Sequence, residues 1–148
     1  MSTTPIPASP VPAAAPVLVR AASLEQEWYS RSALWFGPTG EALTGTQAAV
    51  HLDAALAVLE RDGWSPTGSF EDRFGINEAI SGDADLFRVS ERCLELILCA
   101  NSGAWAVSFE LWEQKAGRTF AEVRTLLTVA AEFARTYGPT LAPLAVTA

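Results

Sequence analysis

The sequence predicts a small, mainly α-helical domain of about four helices, and three observations predict it. Apolar residues recur at i, i+3, i+4 and i+7 in three long segments. Capping residues precede those segments and glycines follow them. Alanine supplies much of an apolar share of 49% in 148 residues, which is enough for one core of closely packed helices. Composition sets the expected bounds: residues 1–22 as a disordered Pro/Ala-rich arm, 23–138 as a single globular domain, and 139–148 as a flexible tail.

The arm holds Pro5, Pro7, Pro10, Pro12 and Pro16 and one charge, Arg20. Prolines remove backbone donors and small side chains bury little area, so this stretch is expected to stay extended. Ser23 can cap a short helix reaching Tyr29, with Leu24 and Trp28 on one side. Residues 33–43 are punctuated by Gly37, Pro38 and Gly40. They read as a short extended or hairpin segment whose Trp35 and Phe36 cover one end of the core.

The first firm helix covers about residues 46–62. Thr44 or Thr46 caps it, Leu52, Ala55, Leu56 and Leu59 face inward, and Gly63 ends it ahead of Trp64. A loop leads to a short helix within residues 72–80, ended by Gly82. The second long helix, about residues 84–100, starts from Asp83 or Asp85. Its stripe is Leu86, Val89, Cys93, Leu96, Ile97 and Ala100, and Asn101, Ser102 and Gly103 stop it.

Residues 104–112 are ambiguous. Trp105, Val107, Phe109 and Leu111 alternate with smaller or polar residues, a strand period that periodicity alone favours. Trp105, Phe109 and Trp112 also fit one helical face. The last helix opens on Thr119 and Glu122, a capping box. Val123, Leu126, Leu127, Ala130, Phe133, Ala134 and Tyr137 are its apolar face, and Gly138 and Pro139 stop it.

Net charge is −7, and the ten basic residues, of which only Lys115 is lysine, are scattered. Neutralising phosphates needs a basic face, so direct nucleic-acid binding is not expected, and neither is attraction to an anionic membrane. No apolar run approaches a membrane span. The N-terminus lacks the basic start and unbroken apolar stretch of a secretory signal, so the expected compartment is the cytoplasm. Cys93 and Cys99 on one helix would stand about 9 Å apart along its axis, too far for a disulfide, and read as buried thiols.

The chemistry-bearing residues are few. His51 has no evident orienting partner or nucleophile, and one His with two badly spaced Cys draws no zinc motif. Asp83 and Asp85 suit helix-start charges. No glycine-rich phosphate loop, GxSxG elbow or HExxH helix occurs. No catalytic residue, cofactor or metal is therefore expected. Five tryptophans, Trp28, Trp35, Trp64, Trp105 and Trp112, are dense for this length. They serve as core anchors, or one or two remain exposed and mark a partner surface, where Trp is enriched.

"LDAALAVLERDGW" (residues 52–64), "FGINEAI" (74–80) and "LWEQKAGRTFAEVRTLL" (111–127) together resemble a small domain family of unknown function found in actinobacteria and their phages. Members have a helix ending in Gly-Trp, a Gly-containing segment that starts the next helix, and a Trp-Asn-Asp stretch leading through Pro-Gly-Arg-Thr into an "AEV" helix. The matching positions are Gly63 and Trp64, Gly75 and Ala79, and Trp112, Gly117, Arg118, Thr119, Glu122 and Val123. Glu113 and Gln114 replace Asn-Asp, and Ala116 replaces the Pro. The resemblance implies a mostly helical domain, shifts residues 104–112 towards helix, and implies no activity. Residue by residue, Trp112 can anchor the turn, Gly117 permits it, Thr119 caps, and Arg118 can pair with Glu113 or Glu122.

The favoured function is a non-enzymatic interaction or regulatory module that binds another protein, with Trp64, Trp112, Glu113 and Arg118 as candidate contact residues. The alternative is a small-molecule-binding protein or enzyme with a pocket lined by Trp64, Phe74, Trp105 and Trp112. An acidic DNA mimic is the third reading. It needs its carboxylates gathered on one face, and they are spread from Glu25 to Glu132.

Overall fold

Two long helices with small residues on their inner faces, Ala48, Ala49 and Ala55 on one and Ala130, Ala131 and Ala134 on the other, set the architecture, because alanine lets helix axes approach closely. A computed structural model describes residues 14–66 and 74–141. Among these the helices are α1 (Ala14–Trp28), α2 (Gly45–Asp62), α3 (Ile76–Ile80), α4 (Ala84–Ser102), α5 (Phe109–Glu113) and α6 (Phe120–Tyr137). No strand forms among the described residues. Sheet-like pairing is confined to isolated bridges, Phe36 with Ala42 and Trp64 with Phe74.

The long helices begin where the sequence supplies caps. The Thr44 hydroxyl accepts from Gln47 N at 3.1 Å, and the Gln47 side chain accepts from Thr44 N at 2.8 Å. Asp83 accepts from the backbone of Asp85 and Leu86 at the start of α4. Thr119 and Glu122 form the expected reciprocal box on α6. Gly103, with φ 79°, closes α4 in the left-handed region. Gly63 leaves α2 with φ 94°, and its N–H bonds back to Leu59.

α2 lies along α6, and α4 packs on both α1 and α6. Ala48, Ala49, Leu52, Ala55 and Leu59 of α2 are buried, as are Leu126, Leu127, Ala130, Phe133 and Ala134 of α6. The start of α2 meets the end of α6 through two glycines: a Cβ on Gly45 would come within 2.8 Å of the Gly138 Cα. Gly45 N donates to Pro139 O at 2.8 Å. Cys93 and Cys99 are buried free thiols. No described helix is long and apolar enough to cross a membrane.

Three expectations need correction. The boundary at residue 22 does not hold, because α1 starts at Ala14 and takes in residues that composition assigned to the arm. Pro16 sits in the first turn, where a missing N–H costs nothing. Val17, Leu18 and Ala21 are buried, and Arg20 donates to Ala100 O at 2.8 Å. Ser23 is consequently mid-helix and exposed rather than a cap. The rest of the arm, residues 1–13, lies outside the described residues, as do 67–73 and 142–148.

The strand favoured by the alternation in residues 104–112 is also absent. Residues 104–108 are irregular and 109–113 form α5. A strand needs a neighbour for its backbone groups, and the described residues offer no sheet. Residues 33–43 form a 3-10 turn (Ala33–Trp35) followed by the Phe36–Ala42 bridge, close to the expected hairpin. Trp35 covers the core as anticipated. It stacks on Phe133 with ring centroids 6.0 Å apart and donates to Glu25 at 2.8 Å.

Candidate functional site

The four residues singled out from sequence meet at one junction. Glu113, at the end of α5, is 3% exposed. Its Oε2 accepts from the Trp64 indole N–H and from the backbone N–H of Ile76, both at 2.7 Å. One carboxylate thus ties together the exit of α2, the start of α3, and α5. Gly75 makes the approach possible, since a Cβ there would lie 3.2 Å from both Glu113 Oε1 and Ser65 O. Burial pushes the Glu113 carboxyl up to about 7, against the lowering effect of its two donors, and the charges of Glu78 and Glu110 add to the rise.

Beside it, the Arg118 guanidinium lies 3.7 Å from the centroid of the Trp112 ring. Arg118 Nε donates to Trp112 O at 2.8 Å, and another guanidinium nitrogen pairs with Glu122 at 2.9 Å. Desolvation pulls the Arg118 pKa down while Glu122 holds it up. Phe120 stacks on Trp64, 6.2 Å between centroids. These contacts are internal: the Arg118 side chain is 1% exposed.

Trp105, grouped with Trp64, Phe74 and Trp112 in the expected pocket, stands on a different feature. It is 86% exposed and borders an open groove of about 410 Å³. Trp28 and Tyr29 come from the end of α1, Arg92, Glu95, Leu96 and Cys99 from α4, and Trp105–Ser108 from the irregular segment. Trp28 is 40% exposed. Glu95 is half-buried and accepts from Phe109 N at 3.3 Å. Burial raises its carboxyl above the ordinary range, with Glu91 and Glu110 adding to the rise. Arg92 is held by the carbonyls of Ala33 and Phe36, each at 3.0 Å, with its guanidinium 5.9 Å from the Tyr29 ring centroid. Cys99 is buried in the wall of the groove, and burial raises its thiol pKa, which disfavours the reactive thiolate.

A second groove, about 490 Å³, runs between α2 and the start of α4, bordered by Leu43, Val50, His51, Asp83, Asp85 and Leu86. Three of its polar side chains already have structural partners. Asp83 caps α4, Asp85 accepts from Thr39 N and Oγ1 at 3.0 and 2.7 Å, and His51 Nε2 lies 2.8 Å from Ile80 O. The Trp28–Trp105 groove differs from it in being bordered by two exposed indoles. Its one sequence-level signal is the surplus of tryptophan, which cannot say which rings stay outside. No group of three or more His, Cys, Asp or Glu among the described residues is placed to hold a metal ion.

Fold and site together define a small helical domain with one closed polar junction and one open aromatic groove. Residues 43–133 match DUF6197, a family of unknown function, and the chain belongs to that family. Glu95 and Trp105 lie within the matched residues, whereas Trp28 and Tyr29 precede them. No curated protein and no solved structure matches the chain.

Proposed function

We propose that this protein is a non-enzymatic interaction module that docks a partner protein on the Trp28–Trp105 groove. The observation that carries the reading is Trp105, 86% exposed at the edge of a concave surface that a second exposed indole also borders. Scattered exposed aliphatic residues are ordinary, but large aromatic rings beside a groove are the anchors that dominate binding energy. The location proposed is the cytoplasm, with neither nucleic acid nor membrane as direct partner, in keeping with the net charge of −7. An actinobacterial or phage source is proposed on the motif resemblance and on the preference for Arg and Ala.

The test is affinity capture of the tagged full-length chain from its host beside Trp105→Ala and Trp28→Ala. A partner held by the wild type and lost from Trp105→Ala supports the reading. Equal capture by all three, or capture of nothing, overturns it. A small-molecule site in the same groove is the second reading, favoured by its volume, which falls within the range of ligand pockets. A thermal-shift screen with wild type and Trp105→Ala distinguishes it.

A further inference from the structure

We infer that the groove receives a cationic side chain, an ammonium or a guanidinium, from a basic segment of the partner, seated against the indoles of Trp28 and Trp105 and facing the Glu95 carboxylate. This rests on the reading of the groove as a docking surface. Three observations point to the charge of the occupant.

The first is an unanswered carboxylate. Glu95 takes one hydrogen bond, from Phe109 N, and makes no ion pair among the described residues. Glu91 and Glu110 stand close enough to raise its pKa rather than relieve it. The chain as a whole carries −7.

The second is a pattern that the molecule repeats internally. Arg118 lies 3.7 Å over Trp112 and pairs with Glu122. Arg124 lies 4.8 Å over Phe120 and reaches Glu60 at 3.6 Å. Each assembly is a ring, a guanidinium and a carboxylate, which is how a cation is held by a ring quadrupole and a counter-charge together. The groove has the rings and the carboxylate, and neither Trp28 nor Trp105 carries a cation among the described residues.

The third concerns Arg92, the one positive charge on the groove wall among the described residues. Two backbone carbonyls hold it and it faces Tyr29. It makes no ion pair with Glu95, so the carboxylate remains available to an incoming cation. An anionic occupant would instead face the Glu95 carboxylate, with Glu91 and Glu110 adding to the negative potential there, against a single tethered arginine among the described residues.

The test uses the full-length chain with labelled tryptophan indoles, observed by NMR at low salt. The probes are capped pentapeptides Ala-Ala-Lys-Ala-Ala and its Arg, norleucine and Glu counterparts. One charge per peptide keeps non-specific attraction to an acidic protein small. The expected result is saturable movement of the Trp28 and Trp105 indole signals with the Lys or Arg peptide, while the Trp64 and Trp112 signals stay in place and report an intact fold. Glu95→Gln should weaken that binding roughly three- to fivefold. Equal affinity for the norleucine peptide overturns the inference but leaves an apolar docking groove. Preference for the Glu peptide overturns it in favour of Arg92 as an anion site. Unchanged affinity in Glu95→Gln, or no response to any peptide, also overturns it, and the docking reading is then decided separately by the Trp105→Ala capture.

Discussion

The junction around Glu113 and the groove around Glu95 are built from the same materials, aromatic rings beside a carboxylate at the margin of α5 and α4. In the junction the carboxylate finds its donors within the chain, the indole of Trp64 and the N–H of Ile76, and water is excluded. In the groove the rings stand in solvent and the carboxylate has spare valence. The difference teaches that residue type alone does not separate a structural cluster from a binding surface. What separates them is whether the partners of each polar group lie inside the same chain.

The comparison breaks most visibly at Arg118. Arg118→Ala removes a buried cation from Trp112, the Trp112 carbonyl and Glu122 at once, and should cost about 3 kcal/mol in chemical denaturation. Arg118→Lys should recover only part of this, since an ammonium cannot lie flat on the indole while serving both oxygens. Glu113→Ala strands the Trp64 and Ile76 donors and should cost about 2 kcal/mol at neutral pH. Near-wild-type stability of either alanine variant would show the junction to be less closed than its contacts imply.

Glu113 also sharpens the comparison through pH. Its folded pKa, about 7, lies above the ordinary value of 4.5, so the native state keeps a proton that the unfolded chain has already released between those values. Stability should therefore fall as pH rises from about 4.5 to about 7, and level off above. The Glu113 contribution should be about 3 kcal/mol over that window. Glu113→Gln should flatten the profile without abolishing its slope, because burial also raises Glu25 and Glu95. A profile identical to wild type would refute the linkage. The smallest stability effect belongs to the groove: Trp105→Ala should change unfolding free energy by less than about 0.5 kcal/mol. A large destabilisation there would mean that Trp105 is a structural anchor after all.

The caps made the long helices legible. Thr44, Asp83 and Thr119 stand where the chain enters α2, α4 and α6, and each is followed by a stripe that packs inward. α1 was hidden because prolines and alanines dominate its surroundings. The Val17, Leu18 and Ala21 set that buries it is short, and its value comes only from packing on α4 and α6. The alternation in residues 104–111 misled for the opposite reason, a local period with no sheet to give it meaning. For the site, Trp112, Glu113 and Arg118 lie within seven positions, so their association could be read locally. Their bond to Trp64 spans 49 positions and could not. The groove needs the end of α1, one face of α4 and the segment after Gly103 to converge, a long-range coincidence that no local pattern announces.

The glycine contact between the start of α2 and the end of α6 has a topological consequence. Because Gly45 N reaches Pro139 O and the two glycine backbones touch, everything from α2 to α6 is a circuit that leaves and returns through one gate. That gate fixes the register of α2 on α6 from both ends of the circuit at once, and α1, whose Val17, Leu18 and Ala21 are buried, docks on the circuit from outside it.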